Sequence, residues 1–166
     1  MRLTDCHNFH DFRRFAQGRL PGPIFDYIDG GAEDETTLRR NTTSFEAWDL
    51  VPNVLRGVES VDTSVEVMGQ KLAVPFYCSP TALQRLFHHQ GEHAVAAAAA
   101  HLGTMFGVSS LGTVSMEELR KAYTGPQVYQ FYFHRDRGLN RAMMQRAKNA
   151  GVQVMMLTVD SITGGN

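Results

Sequence analysis

The sequence predicts an α/β fold in which helices cover a parallel sheet. From Lys71 onward, four short and nearly continuous apolar runs alternate with helical segments. Such uninterrupted runs are typical of strands buried on both faces, as in parallel sheets. Each run ends in polar residues, at the edge where parallel α/β folds place their sites. The pattern alone fits both an open doubly wound sheet and a (β/α)8 barrel.

Each element is predicted from a local signal. The predicted strands are residues 74–79, 104–109, 128–133 and 152–159. The predicted helices run from about 90 to 103, from 115 to about 123, and from 136 or 140 to 151. Ser115 with Glu118 has the spacing of a capping box. Gly103 and Gly151 stand where helices commonly end. The alanine-rich residues 94–100 predict a helix that packs closely on its neighbour.

The first 70 residues differ from this pattern. Short helices are predicted for residues 8–17, 24–29 and 33–41, with prolines and a Gly-Gly pair between them. Residues 60–69 read as an extended connector, with valines that suggest a peripheral strand.

Composition argues against several classes of function. Sixteen basic residues nearly balance seventeen acidic ones, so nothing favours a nucleic-acid partner. Cys6 and Cys78 form neither a disulfide framework nor a C-x-x-C metal site. His93 and His101 are eight residues apart with no flanking carboxylate pattern and are interpreted as surface residues, so no metal site is predicted. No G-x-G-x-x-G or P-loop motif, apolar membrane span or secretory leader is visible.

Polar side chains gather at the predicted carboxyl ends of the strands. Ser79 and Ser109 end the first two runs, and either alone would more often be a loop-capping hydroxyl. Gln130 lies inside an apolar run, where a buried amide needs hydrogen-bond partners. Thr158 and Asp160 are two residues apart and so share a face, and Asp160 fits a helix N-cap as well as a catalytic group.

Several motifs together resemble one family. They are residues 20–21, 25–34, Asn41, 79–84, 91–92, 109–110, 129–132 and 157–160. In this order and spacing they resemble the FMN-dependent 2-hydroxy acid oxidases and dehydrogenases, over residues 8 to 166.

The resemblance implies a (β/α)8 TIM barrel with FMN at its carboxyl-terminal mouth. Residues 1–70 would form a helical and connector segment that packs on the barrel. Residues 71–166 would form the first half of the barrel, with about four β/α units. The family's cofactor-binding residues correspond here to Pro80, Thr81, Ala82, Ser109, Gln130 and Thr158.

The resemblance also implies substrate and catalytic residues. Tyr27 and Tyr132 would bind the substrate, and Leu111 would line its pocket. Tyr132 and Asp160 would be catalytic, with Asp160 hydrogen-bonded to a base histidine whose positive charge it stabilises. Leu111 and Ala82 are compatible with a small substrate.

The implied reaction is oxidation of a small L-2-hydroxy acid, foremost L-lactate, to the 2-oxo acid. The electrons would pass through FMN to oxygen, a quinone or a cytochrome, and the sequence leaves oxidase and dehydrogenase open. Two alternatives remain: an inactive half-barrel that self-associates, and an isopentenyl-diphosphate isomerase-like FMN barrel, against which the two tyrosines argue.

The family's base histidine, substrate arginine, flavin-side lysine and phosphate site would all come after Asn166. We therefore expect the C-terminal half of the same enzyme as a partner. The resemblance further suggests a homo-oligomer, a tetramer in the family. We expect a cytoplasmic location, or peripheral association with the inner membrane if the electron acceptor is a quinone.

Overall fold

The computed structural model describes residues 2–161. It divides into two compact units, which meet in sequence after Val58. The sequence predicted this boundary at residue 70. The boundary in the structure comes earlier because the hairpin of residues 65–72 groups with the sheet.

The N-terminal unit contains three helices: α1 (Phe9–Gln17), α2 (Gly22–Asp29) and α3 (Thr36–Thr43). All three were predicted to within a few residues. The side chain of Asn8 caps α1 by accepting from the backbone of Asp11 at 3.0 Å. An ion pair of 2.5 Å between Arg13 and Asp29 links α1 to α2, and Phe25 is buried.

The second unit opens with a small antiparallel hairpin of β1 (Val65–Val67) and β2 (Gln70–Leu72). Met68 and Gly69 form its turn, both with positive φ. Leu72 is fully buried against Met105 and other apolar residues of the main sheet.

The main sheet has three parallel strands in sequential order: β3 (Phe106–Ser109), β4 (Gln127–Tyr132) and β5 (Val154–Thr158). Helix α4 (Glu92–Leu102) precedes β3, and α5 (Met116–Ala122) and α6 (Arg137–Asn149) connect the three strands. The parallel order and three of the four predicted strands are confirmed.

The first predicted strand, at residues 74–79, is wrong as a strand. Of residues 74–79, only Cys78 pairs with a strand of the described chain, through a parallel bridge to Phe106. Pro75 lacks the N–H that a longer ladder needs, and Pro80 ends the pairing on the other side. The segment still runs beside β3, because Cys78 donates to the Met105 carbonyl at 3.0 Å.

The two faces of the sheet have different cores. Phe106, Val108, Tyr129 and Phe131 point toward the helices. Ala96 and Ala99 of α4 are almost completely buried against them, as the alanine-rich run predicted. The opposite face packs on the β1–β2 hairpin.

Strand β5 departs from the buried pattern predicted for it. Met155 and Leu157 are 40% and 48% exposed, whereas Val154 is buried. Residues of β5 therefore alternate between an exposed and a more buried face in the described part of the chain.

The capping hydrogen bonds show that α6 begins after Asp136 and not at Asn140. Asp136 is the N-cap, with its carboxylate accepting from the Gly138 and Leu139 backbones. Asn140 is instead 2% exposed and bonds both backbone groups of His134. It therefore fixes the loop that follows β4. No helix among residues 2–161 is long and apolar enough to cross a membrane.

Candidate functional site

Three polar side chains form one hydrogen-bonded row across the parallel sheet. Ser109 lies opposite Gln130 in the β3–β4 register, and its hydroxyl is 3.3 Å from the Gln130 carbonyl oxygen. The Gln130 amide nitrogen donates to the Thr158 hydroxyl at 2.7 Å. The row thus joins the carboxyl ends of all three strands, where sequence analysis placed these residues.

The Gln130 side chain is held in one orientation. Its oxygen also accepts from the backbone N–H of Ser110 at 3.3 Å, and its side chain is nearly buried. Because the oxygen faces these donors, the amide nitrogen faces Thr158. The Thr158 oxygen accepts that bond, so its own O–H hydrogen remains available to a further acceptor.

The loop after Cys78 lies against this row. Gly107 donates to the Cys78 carbonyl at 2.8 Å, and a Cβ on Gly107 would come within 2.4 Å of the Pro80 nitrogen. Only glycine allows this approach of two backbones. Further along, Leu83 donates to the Leu111 carbonyl at 3.0 Å. The residues Pro80, Thr81 and Ala82 are therefore held beside the turn that follows Ser109.

Tyr132 borders the same edge of the sheet. It is half-buried, follows Gln130 by two residues on β4, and pairs in register with Thr158. A cleft of about 330 Å³ opens here, lined by Tyr132, Phe133, Thr158, Val159 and Ser161. A small organic acid would fit such a cleft.

The other predicted substrate and catalytic residues are placed as follows. Leu111 is 52% exposed, and its backbone donates to the Ser109 hydroxyl at 3.1 Å. Asp160 follows β5 and is exposed, and no side chain or backbone group among residues 2–161 donates to its carboxylate. Tyr27 lies on α2 in the N-terminal unit, with its side chain largely exposed.

Two residues that sequence reasoning did not select also belong to these loops. Gln84 is buried and its side chain donates to the Thr81 hydroxyl at 2.7 Å, while its side-chain amide oxygen has no partner within residues 2–161. Glu92 is fully buried and accepts from both the backbone and the hydroxyl of Thr113. The motifs at residues 79–84 and 91–92 contained both, but their partners are distant in sequence.

The hydrogen bonds around the buried Glu92 carboxylate favour its ionised form. Burial raises its pKa, but the hydrogen bonds from Thr113, from the start of α4 and from the Gln84 backbone outweigh that effect. The net pKa of Glu92 lies below its ordinary value.

Comparisons with known proteins identify the family. A sequence model described as FMN-dependent dehydrogenase matches residues 16–166. The chain belongs to this family. Its fold is therefore the N-terminal part of a (β/α)8 barrel, and the predicted family and cofactor class, FMN, are confirmed.

Individual relatives agree. The chain is 36% identical over 159 residues to glycolate oxidase 1 of Oryza sativa subsp. indica, covering 96% of this chain and 43% of that protein. It is 39% identical over 164 residues to L-lactate oxidase of Streptococcus iniae, covering 98% and 40%. A crystal structure of mandelate oxidase with 3,3-difluoro-2-hydroxy-3-phenylpropionic acid aligns with a TM-score of 0.88 and 37% identity, over 95% of this chain and 47% of that one. The chain thus spans less than half the length of these relatives.

The strand-end row fits a flavin chemically. The pyrimidine edge of an isoalloxazine carries carbonyl oxygens and an N–H, so it needs both donors and acceptors. Gln130 supplies an amide that does both, in a fixed orientation, and Thr158 supplies a hydroxyl hydrogen. The backbone at Thr81 and Ala82 lies beside the same row.

Proposed function

We propose that the protein containing this chain oxidises a small L-2-hydroxy acid, foremost L-lactate, to the 2-oxo acid with FMN. The observation that carries the proposal is the row of Ser109, Gln130 and Thr158 with Tyr132 beside it. This row offers the hydrogen-bond donors and acceptors that the edge of a flavin needs. It lies next to a cleft large enough for a small organic acid. The family membership supports the same chemistry.

The cofactor would be held by the residues at the strand ends and the loop after Cys78. These are Pro80, Thr81, Ala82, Ser109, Gln130 and Thr158. When bound, FMN supplies the acceptor for two electrons. The chain's contribution is to orient the ring through the fixed Gln130 amide and to shield one edge from water.

The substrate would lie against Tyr132. Its phenol O–H can donate to the carboxylate or the hydroxyl oxygen of a 2-hydroxy acid, and its ring gives the cleft an apolar wall. Tyr27 is proposed as a second substrate contact and Leu111 as a lining side chain. The exposed, aliphatic Leu111 and the small Ala82 leave room for a short side chain such as the methyl of lactate.

Asp160 would assist the transfer of a proton from the substrate to a base. The substrate loses two electrons and two protons as the alcohol becomes a ketone. A neutral base would take one proton and become positively charged, while the two electrons and the other proton would pass to FMN. A carboxylate beside the base would stabilise its positive charge. Asp160 is exposed directly after β5, between two residues that line the cleft, Val159 and Ser161.

Completion of the site requires groups from the rest of the barrel. We propose that the C-terminal half of the barrel supplies the base, the group that binds the substrate carboxylate and the phosphate site. Oxygen, a quinone or a cytochrome would take the electrons, and the enzyme would assemble as a homo-oligomer in the cytoplasm or at the inner membrane surface.

A second candidate is an inactive half-barrel that self-associates. It is favoured by the exposed Met155 and Leu157 on β5, since an uncovered apolar strand promotes association. One experiment separates the two. Purified protein supplied with FMN is mixed anaerobically with L-lactate, and flavin absorbance is recorded, with D-lactate as the control. Bleaching by L-lactate alone supports the oxidation; no bound flavin with a concentration-dependent oligomer supports the second candidate.

A further inference from the structure

Glu92 has an environment that a surface helix does not require. It is the first residue of α4, yet its side chain is completely buried. Glutamate is almost never fully buried unless it is paired or hydrogen-bonded. No cation of the described chain pairs with it, so its partners are hydrogen-bond donors alone.

Those donors belong to the loop after β3, which in turn contacts the loop after Cys78. The backbone N–H of Thr113 is 2.6 Å and its hydroxyl 2.5 Å from the two carboxylate oxygens. The Thr113 hydroxyl oxygen also accepts from the backbone N–H of Arg85 at 3.3 Å. Arg85 lies four residues after Thr81, and Thr113 two residues after Leu111. Through Thr113, the carboxylate therefore joins the loop after Cys78 to the loop after β3.

Other contacts converge on this junction. The Gln84 side chain donates to Thr81 at 2.7 Å. Gly91 has a φ of +51°, and a Cβ there would lie 2.7 Å from the Arg85 side chain. The start of α4 and the loop before it are thus packed too closely for any other residue at position 91.

We propose that Glu92 is a positioning residue that holds the Thr81 loop and the Leu111 loop in the arrangement that binds FMN. The inference rests on the proposed function, which places Thr81 at the flavin and Leu111 at the substrate. Glu92 holds the Leu111 loop through Thr113, and Thr113 in turn contacts Arg85 in the loop that carries Thr81. It touches neither flavin nor substrate itself.

The charge of the carboxylate is essential to this role. Hydrogen bonds to an ionised group are about twice as strong as neutral ones. A glutamine of the same shape accepts with one oxygen only and turns its NH₂ group toward donors. The charge-assisted bonds to Thr113 are then lost, and the two loops are held to each other less firmly.

The test compares three variants of the FMN-binding protein. Glu92→Gln is expected to weaken FMN binding about 10- to 100-fold, by analogy with the loss of residues that orient bound ligand groups. The visible spectrum and midpoint potential of the bound flavin should change as well. Thr113→Val removes one donor and keeps the shape, and should weaken FMN binding less. Glu66→Gln alters an exposed acid of β1 and should leave all readouts unchanged.

The outcomes are distinct. FMN affinity, spectrum and potential that are unchanged in Glu92→Gln, with only a lower Tm, would make Glu92 a stabilising residue and overturn the inference. If Glu92→Gln does not fold, Thr113→Val decides, and wild-type FMN affinity in that variant is the contrary result. A wild-type protein that binds no FMN would remove the proposed function and this inference together. Wild-type turnover with an unaffected Glu92 variant would remove only the inference.

Discussion

The Nε2 atom of Gln130 lies 2.7 Å from the hydroxyl oxygen of Thr158, across neighbouring parallel strands. This bond fixes which end of the Gln130 amide faces the carboxyl edge of the sheet. The opposite end is held by Ser109 and Ser110. An amide bonded on both sides is preorganised, and a ligand gains affinity because it does not have to order the side chain.

Replacement of Gln130 by leucine should therefore weaken FMN binding. The change leaves Ser109, Ser110 and Thr158 without their partner, at a cost of about 1–3 kcal/mol for a buried unpaired group, and removes a flavin contact. We expect FMN affinity to fall about 10- to 100-fold, measured by fluorescence titration of the apoprotein. Gln145→Leu changes an exposed glutamine of α6 whose side chain donates to Asn149; it is the matched control and should bind FMN normally. Equal affinity in both variants would contradict the assignment.

Tyr132→Phe should separate substrate from cofactor binding. It removes a hydroxyl at the cleft and keeps the ring, so FMN affinity should remain within about twofold while kcat/KM for L-lactate falls by about 1–3 kcal/mol equivalent, or roughly 5- to 150-fold. Steady-state kinetics with a flavin titration provide the measurement. Tyr123→Phe, which removes a hydroxyl that contacts His93, is the control. If Tyr132→Phe lost its flavin, Tyr132 would instead be a cofactor-binding residue.

Asp160→Asn should leave FMN bound and slow turnover by roughly 10²- to 10⁴-fold, because an amide does not stabilise a positively charged base as a carboxylate does. Stopped-flow reduction of the flavin by L-lactate measures the affected step. Asp49→Asn, an exposed acid in the N-terminal unit, is the control. An unchanged rate of flavin reduction would remove Asp160 from the mechanism.

Gly107→Ala tests the close approach of the loop after Cys78. The new methyl group would lie 2.4 Å from the Pro80 nitrogen, so either the loop or β3 must move. We expect a loss of about 1–3 kcal/mol in the free energy of unfolding, as for other overpacked sites, and weaker FMN binding. Gly22→Ala meets no atom within 4 Å and should be nearly neutral. Urea titration of both variants measures their free energies of unfolding. Similar values would show that the loop after Cys78 accommodates the added methyl group without cost.

The sequence predicted those features that local pattern determines. Gln130 could be selected because a buried amide in an apolar strand requires partners. The junction of Glu92 with Thr113 could not, because contacts 21 residues apart leave no local signal. The strand at residues 74–79 was wrong because an apolar run does not by itself supply the N–H groups of a ladder, and Pro75 lacks one. Exposure of Met155 was also missed, because burial depends on which elements pack beside β5.

Glu92 should make the stability of the protein depend on acid pH. Its folded-state pKa is lower than its ordinary value of 4.5, because the hydrogen bonds outweigh the opposing effect of burial. The unfolded state therefore binds a proton more readily than the folded state. The stabilisation from Glu92 is complete above the unfolded pKa and is lost as the pH falls through the folded pKa. Urea unfolding from about pH 6 to about pH 3 measures it.

The comparison with Glu92→Gln isolates this contribution. The free energy of unfolding of the wild type should exceed that of the variant most at the upper end of this pH range. The difference should shrink at lower pH, because the wild-type carboxylate gains a proton. Glu117→Gln is the matched control, because the Arg146 hydrogen bond also lowers the pKa of Glu117, but at a partly exposed site. Solvent screening makes that pair weak, so its pH dependence should be small. A constant difference between wild type and Glu92→Gln across the range would mean that Glu92 contributes shape and not charge.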